Sequence, residues 1–342
     1  IKIGMPCYDT TDEQFLAIQE YFNYIQENFN IQITYSESLQ SPEDEFAFIQ
    51  SCAAAGCKGI FGYYNIAEAE SIKLASSLGM YYATPMNSWT ESCHEDPFYV
   101  GGYQLVGDTG DTDKNGDYLA GYALGKSMGS QGFNHIAFCD GGASFGVPMF
   151  IDRKQGFLDG LKDAGYDKFT DADLVSGWPG TDDFAAKQTE VISGDYDAVV
   201  SSFNCLMWIQ PIMESGKEIA LAAIGEANET YKDFMDMGII RCIVYDCEET
   251  VFGMYLPILV NAITGYTELT RTAEGTPLAC PVTRWTIETP EQIDAIYEYH
   301  DAGNWFAPAE AVASTFKGIN PDATLETYDA VFNVTLEEAL AM

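Results

Sequence analysis

Short apolar segments alternate along the chain with segments whose apolar residues recur every three or four positions. Ile1–Met5 has the length of a buried strand, and Phe15, Ile18 and Phe22 then follow at helical spacing. The same alternation continues almost throughout the sequence. It predicts further strands at Ile31–Tyr35, Gly59–Tyr63, Tyr81–Thr84, Tyr99–Val100, His135–Cys139, Ala198–Ser202, Ile219–Ile224 and Ile239–Tyr245.

Two helix boundaries are marked by particular residues. Ser41 followed by Pro42 and two acidic residues predicts a helix start, because a serine cap, a first-turn proline and carboxylates all suit the positive end of a helix. Apolar spacing predicts one long helix from about Glu248 to Thr264. Pro257 lies inside that segment and predicts a kink.

Repeated strand–helix units with short connections predict parallel sheets that helices cover on both faces. A chain of 342 residues holds too many such units for one sheet. The fold class that follows is α/β, with two doubly wound parallel-sheet lobes. Ligands of such sheets gather at the carboxyl ends of the strands, so candidate site residues are sought there.

The charge balance excludes some partners. Sixteen Lys and Arg stand against 52 Asp and Glu, giving a net charge of -36. Such a surface repels phosphate backbones and anionic lipids, so no nucleic-acid partner is expected.

No apolar run reaches the roughly 18 residues that a membrane span needs. The chain opens on a strand without a secretion signal, and a processed N-terminus would fit this, so an extracytoplasmic location stays open.

Nine cysteines are scattered along the chain, and no two CxxC units occur. A zinc ribbon is therefore not expected, and most of the thiols are interpreted as small core hydrophobes. The sequence also lacks P-loop and HExxH motifs. We expect no metal or nucleotide cofactor.

Several segments together resemble the ribose-binding-like solute receptors of sugar ABC importers, whose fold is also that of LacI-type sensor domains. The resemblance covers roughly residues 1–286 and depends on order and spacing. The segments are Ile1-Lys2-Ile3-Gly4-Met5-Pro6, Cys57-Lys58-Gly59-Ile60-Phe61-Gly62, Thr84-Pro85-Met86-Asn87, Asn115-Gly116-Asp117-Tyr118-Leu119-Ala120-Gly121, Arg153-Lys154-Gln155-Gly156-Phe157 and Asp246 through Gly253.

The resemblance implies a type I periplasmic binding protein with a three-segment hinge. An N-terminal lobe would comprise 1–105 and 246–279, and a C-terminal lobe 106–245 and 280–342, with a helical tail on the second lobe. It implies a monomeric extracytoplasmic receptor, periplasmic or lipid-anchored. Such a receptor captures a small polar ligand, with a monosaccharide as the expected one, in the cleft between the lobes. It then closes over the ligand and delivers it unchanged to an ABC permease.

The resemblance also implies the ligand-binding residues, all at predicted strand ends. Aromatic faces stack on sugar rings and planar polar groups bind hydroxyls. The candidates are Tyr8, Asp9, Phe15, Tyr64, Asn65, Asn87, Trp89, Phe145, Trp178, Asn204, Glu226 and Asp246. Two positions depart from the ribose-type pattern, because Asn87-Ser88 replaces an Asp-Arg pair and Ile151 replaces an arginine. A nucleoside or another ring compound therefore remains an alternative ligand.

Two motifs offer alternatives. Gly142-Ala143-Ser144-Phe145-Gly146 matches the G-x-S-x-G pattern of hydrolases, although two residues separate it from the strand and only His300 follows Ser144 among the three histidines. Asp111, Asp113 and Asn115 match the first half of an EF-hand loop, but Tyr122 replaces its final acid. A serine hydrolase and a Ca²⁺ site are thus the alternatives to a cofactor-free receptor.

Overall fold

A computed structural model describes residues 1–64, 66–88, 91–103, 116–280 and 283–341. Its strands are β1 (Lys2–Cys7), β2 (Gln32–Ser38), β3 (Gly59–Phe61), β4 (Tyr81–Ser88), β5 (Tyr99–Tyr103), β6 (Ile136–Gly141), β7 (Leu174–Ser176), β8 (Ala198–Ser201), β9 (Ala220–Gly225), β10 (Ile240–Tyr245), β11 (Leu278–Cys280) and β12 (Trp285–Ile287).

Helices connect most of these strands. They are α1 (Glu13–Asn28), α2 (Pro42–Ala54), α3 (Glu68–Ser77), α4 (Gly116–Ser130), α5 (Pro148–Asp163), α6 (Asp182–Ser193), α7 (Leu206–Ser215), α8 (Glu229–Asp236), α9 (Tyr255–Ile263), α10 (Pro290–Asp301), α11 (Ala309–Thr315), α12 (Leu325–Phe332) and α13 (Leu336–Leu340). None of the helices in the described ranges combines the length and apolarity needed to cross a bilayer.

The chain divides into two compact units. Unit 1 comprises Ile1–Leu105, Cys247–Thr283 and Asn304–Met342, and unit 2 comprises Val106–Asp246 and Arg284–Gly303. Each unit contains one six-stranded sheet, ordered β11-β5-β4-β3-β1-β2 in unit 1 and β12-β10-β9-β8-β6-β7 in unit 2. The pairings are parallel, except that β12 runs antiparallel to β10. The two parallel-sheet lobes expected from the sequence are therefore present.

The tail after residue 303 packs on unit 1, so its predicted place on the second lobe is wrong. The hydroxyl of Tyr21 on α1 donates to the carbonyl of Ala307 at 2.9 Å. Asn261 on α9 donates to the carbonyl of Thr315 at 2.8 Å and to the hydroxyl of Tyr328. The tail belongs there because it covers apolar surfaces of α1 and α9, with which its residues form one core.

The segment predicted as one long helix is two pieces. A π-helical turn spans Glu248–Phe252, and α9 begins only at Tyr255. Pro257 lies in the first turn of α9, where a missing backbone N–H removes no helical hydrogen bond. Pro257 thus lies at the start of the regular α-helix, and Gly253 and Met254, which join the two pieces, keep helical backbone angles. The kink stays a prediction.

Glycines bring α4 and α5 of unit 2 into close contact. A Cβ atom on Gly121 would lie 1.9 Å from the carbonyl oxygen of Arg153, and one on Gly156 would lie 1.9 Å from that of Tyr118. No side chain fits in this gap, so the backbones of the two helices touch directly. This contact fixes Arg153 near the sheet, on the face that α4 and α5 cover.

Candidate ligand-binding site

Three aromatic side chains form a cluster beside the carboxyl ends of β6, β7 and β8 in unit 2. The ring of Phe150 meets Trp178 edge-on at 5.2 Å and Phe203 at 6.1 Å, and Trp178 lies 5.9 Å from Phe203. Phe150 is buried, Phe203 is half-buried, and Trp178 keeps 42% of its surface exposed. Core packing therefore holds the cluster in place while Trp178 stays accessible, as its predicted stacking role requires.

The aromatic cluster borders a glycine turn at Gly141, directly before the G-x-S-x-G segment. Gly141 has a φ of +55°, and a Cβ atom there would lie 2.8 Å from the ring of Phe150. The turn therefore lets the ring pack on the backbone just after Asp140. Phe145, which follows this turn, is 67% exposed and is free of the core.

Asn204 lies at the same edge of the sheet and is exposed. Its side-chain oxygen accepts a hydrogen bond from the backbone N–H of Leu206 at 2.6 Å, and its carbonyl accepts one from Ser201 at 3.1 Å. The residue thus organises the start of α7, while its amide nitrogen points to no partner among the described residues. Glu226, half-buried, follows β9 at this edge as predicted.

Asp246, another predicted ligand residue, is instead occupied by an ion pair. The Nε atom of Arg284 donates to its carboxylate, and both side chains are nearly buried. Asp117 extends the network, because it accepts bonds of 2.9 Å from Arg153 and lies 3.5 Å from Arg284. Arg153 also donates to the carbonyl of Ser202 at 2.9 Å. Two guanidinium groups and two carboxylates thus neutralise one another.

Asp140 and Ser202 are polar residues that sequence reasoning missed. Asp140 is the penultimate residue of β6 and is 1% exposed, and Ser202 directly follows β8 and is wholly buried. Oδ2 of Asp140 accepts from the hydroxyl of Ser176 at 3.0 Å. Burial raises the pKa of Asp140, although Ser176 and Lys154 act in the opposite direction. A signal existed in the sequence, since an Asp that ends a strand of apolar residues is unusual.

In unit 1 the structure brings two predicted aromatics together. Tyr8 follows β1 and Tyr64 follows the neighbouring β3, and their ring centroids lie 4.6 Å apart. Asp9 is exposed after β1. A hydrogen bond from the side chain of Thr11 and a second from its backbone hold the pKa of Asp9 below its usual value. These three residues lie at the carboxyl edge of the sheet, as predicted.

Phe15 is a core residue, so its predicted ligand-facing role is not supported. It is 1% exposed and its ring packs edge-on against Tyr35 at 5.8 Å. It lies in the first turn of α1 on the helix face that covers the sheet, where an apolar ring belongs to the packing. Asn87 lies at the end of β4. Asn65, Trp89, the side chain of Asn87 and the Ca²⁺ candidates Asp111, Asp113 and Asn115 lie outside the described residues.

The hydrolase motif lacks a catalytic partner in the part of the chain that is described. Ser144 is exposed in a 3-10 turn, and no imidazole or carboxylate there forms a hydrogen bond with its hydroxyl. His135 precedes β6, so the length of that strand, about 20 Å, separates it from the turn. Its ring nitrogens are bonded to Asp195 and Asp173 at 2.9 and 2.7 Å. Nor do the described residues hold a metal-binding group of three or more His, Cys, Asp or Glu.

Comparison with solved structures shows a match of both lobes. A periplasmic solute-binding protein of an ABC transporter from Actinobacillus succinogenes, with bound D-allose, matches with a TM-score of 0.65 at 11% identity. That match covers 86% of this chain and 99% of the other. A periplasmic ribose ABC transporter protein from Conexibacter woesei gives 0.65 at 15% identity, covering 87% and 94%. The chain has the type I periplasmic-binding-protein fold.

The periplasmic-binding-protein fold is also found in regulators. The transcription regulator CcpA of Lactococcus lactis matches with a TM-score of 0.59 at 13% identity, covering 77% of this chain and 91% of that one. No protein-family model and no curated protein matches the sequence. These identities establish the fold. A shared fold does not fix what a protein binds, which depends on the residues at the carboxyl edges of the two sheets.

Proposed function

We propose that the protein is an extracytoplasmic receptor that captures a small polar ligand and delivers it to an ABC permease without chemical conversion. The ligand we propose is a monosaccharide. The ligand would bind at the carboxyl edges of the two sheets, and hinge bending would close the lobes over it. The observation that carries the proposal is the edge of unit 2, where the accessible ring of Trp178 packs on Phe150 and the buried carboxylate of Asp140 is bonded to Ser176. In a sugar-binding site, aromatic rings stack on the apolar face of the sugar and carboxylate oxygens accept hydrogen bonds from its hydroxyls.

Two further observations support a receptor over its rivals. Several solved structures of the same fold are described as sugar-binding proteins of ABC transporters, among them those named for D-allose and ribose. The net charge of -36 opposes a DNA-binding regulator, and within the described ranges no imidazole or carboxylate is bonded to Ser144 as a base. A nucleoside remains the alternative ligand on the same site, because it also combines a ring face with hydroxyls.

The proposal is tested by a thermal-shift screen of the purified protein against neutral monosaccharides, nucleosides and amino acids. A ligand at 100 times its Kd adds about 2.7 kcal/mol to stability, which raises the Tm measurably. Trp178→Ala and Asn204→Ala should abolish the shift. Phe133→Ala serves as the control, because it removes a half-buried aromatic at the opposite end of the same sheet. No shift with any compound would overturn the proposal.

The monomeric state and a lipid anchor belong to the same proposal, which needs no metal, and Ca²⁺ binding is its alternative. Sedimentation at increasing concentration tests the first. Repeating the thermal-shift assay with Ca²⁺ and with a chelator tests the last. A Ca²⁺-dependent rise in Tm that Asp111→Asn and Asp113→Asn remove would establish the site suggested by that acidic segment.

A further inference from the structure

One oxygen of Asp140 is buried without a hydrogen bond. Its Oδ2 is bonded to Ser176, whereas Oδ1 has no partner among the described residues, although the side chain is 1% exposed. A buried carboxylate with an unsatisfied oxygen costs stability unless something else binds it. A destabilising group of this kind is retained where function requires it, for example where it binds a ligand.

Ser202 supplies a second unsatisfied group directly beside it. In the parallel pairing of β6 with β8, Cys139 is opposite Ser201, and the N–H of Ser202 continues the ladder by donating to Cys139. Asp140 is therefore opposite Ser202, on strands about 4.8 Å apart. The hydroxyl of Ser202 is buried and has no partner in the described part of the chain.

Both side chains lie on one face of the sheet. Phe138 and Val200 belong to the core that α4 and α5 cover, and side chains two residues further along a strand share its face. Asp140 and Ser202 therefore face the same helices as Phe138 and Val200. Lys154 on α5 lowers the pKa of Asp140, which agrees with that direction.

The two arginines of this region, Arg153 and Arg284, already form hydrogen bonds with other groups. Arg153 is bonded to Asp117 and to the carbonyl of Ser202, and Arg284 is bonded to Asp246. Neither guanidinium is bonded to Asp140. The pair thus presents one carboxylate acceptor and one hydroxyl donor, spaced for a single bridging group, next to the ring of Phe150 that packs on Gly141.

We propose that Asp140 and Ser202 form a subsite for one ring hydroxyl of a neutral ligand, and that this subsite rejects anionic sugars. A hydroxyl can donate to Asp140 and accept from Ser202 at the same time. A uronate or a phosphate placed there would meet the carboxylate of Asp140, while the guanidinium groups of Arg153 and Arg284 are already bonded to Asp117 and Asp246. This assignment rests on the proposed function and names its ligand class: neutral compounds with a ring hydroxyl, whether a monosaccharide or a nucleoside.

The ligand-free protein gives the first test. Asp140→Asn keeps the hydrogen bond from Ser176 and removes the buried charge, so its Tm should equal or exceed that of the wild type. Asp173→Asn is the matched control, because Asp173 is equally buried in unit 2 but is bonded to His135, Thr170 and Tyr196. The control should lose stability. A comparable loss in Asp140→Asn would make its carboxylate a structural group and overturn the subsite.

Calorimetric titration gives the second test, with D-ribose, D-allose, L-arabinose and adenosine as neutral probes and D-glucuronate and ribose 5-phosphate as anionic ones. For a neutral probe that binds the wild type, Asp140→Asn and Ser202→Ala should each raise Kd by about 10- to 100-fold, since each removes a hydrogen bond of a buried pair. The double variant should lose less than the product of the two factors, because both residues hold one hydroxyl. Ser127→Ala, a buried serine bonded to Glu288 instead, should bind like the wild type.

The outcomes separate the subsite from the receptor. If Asp140→Asn binds the neutral probe as tightly as the wild type, or if an anionic probe binds as well as the neutral one, the subsite is overturned and the receptor stands. If no neutral probe binds the wild type, the receptor falls and the subsite with it.

Discussion

The hydroxyl of Tyr82 donates a hydrogen bond of 3.0 Å to Oε1 of Glu45 inside unit 1. Both side chains are wholly buried, and burial raises the pKa of Glu45 to about 7 from an ordinary value of 4.5, although the hydrogen bond from Tyr82 acts in the opposite direction. A carboxyl whose pKa is higher in the folded state binds protons more tightly there. Unit 1 should therefore lose stability as pH rises from 4.5 through 7.

Glu45→Gln removes this loss. Glutamine keeps an acceptor for Tyr82 and carries no charge, so the variant should match the wild type near pH 4.5 and exceed it above pH 7 by up to about 3 kcal/mol. Urea unfolding at pH 5 and pH 8 measures the difference. Glu43→Gln, an exposed change on the same helix, is the control. An advantage of Glu45→Gln that is equal at both pH values would contradict the argument.

The buried ion network of unit 2 makes a second prediction. Arg153→Met leaves the carboxylate of Asp117 buried with Arg284 at 3.5 Å, and should lower the free energy of unfolding by roughly 3–5 kcal/mol. Lys187→Met breaks a pair of similar length, 2.7 Å to Glu190, at the surface, and should cost less than about 1 kcal/mol. Denaturant midpoints give both values, and similar losses would rule out burial as the cause.

The contact between α4 and α5 makes a third prediction. Gly156→Ala places a methyl group 1.9 Å from the carbonyl oxygen of Tyr118, so the helices must separate, at a cost of about 1–3 kcal/mol or more. Gly318→Ala is a fair comparison, because its nearest neighbour would lie at 3.6 Å. We expect that control to change stability by less than 1 kcal/mol. Thermal unfolding of the two variants decides, and an unperturbed Gly156→Ala would contradict the close contact.

His135 predicts a second pH dependence, in which stability is again lost as pH rises. Partial burial lowers its pKa, but hydrogen bonds to Asp173 and Asp195 outweigh burial and raise it above its ordinary value of 6.5. The stabilisation is fully present below pH 6.5 and is lost as pH rises through the folded-state pKa. His135→Gln should therefore destabilise the protein more at pH 5.5 than at pH 9. Unfolding curves at the two pH values test this, and a constant difference would contradict it.

Long apolar strands were predictable, and the short edge strands were not. β6, β8, β9 and β10 are each four to six residues of nearly continuous apolar sequence, and their predicted ranges agree with the structure to within two residues. By contrast, β7, β11 and β12 have three residues each, too few for a periodic pattern. They form because neighbouring strands offer unpaired backbone groups, which a local pattern does not record.

The candidate site was predictable where local sequence marks it, and not where it depends on contacts between residues distant in sequence. Aromatics in turn-rich segments, such as Trp178, are identified by composition. Asp246 lies at a strand end and Phe15 at a helix start, and the resemblance assigns both positions to ligand contacts. In this structure Asp246 is paired with Arg284, and Phe15 is packed in the core. Arg284 is 38 residues from Asp246 in sequence, so only the folded chain brings them together. The same holds for Asp140 and Ser202, which become a pair through strand register.

The return of the chain to unit 1 after residue 303 has a consequence for the order of assembly. Tyr21 and Ala307, which share a hydrogen bond, are 286 residues apart in sequence. Contacts of that separation close slowly, whereas residues 106–246 supply most of unit 2 as one continuous block. During synthesis, unit 2 can therefore become compact while α1 still exposes the aromatic face that Tyr21 and Tyr24 present to the tail. The core of unit 1 is complete only when the residues beyond 303 have left the ribosome.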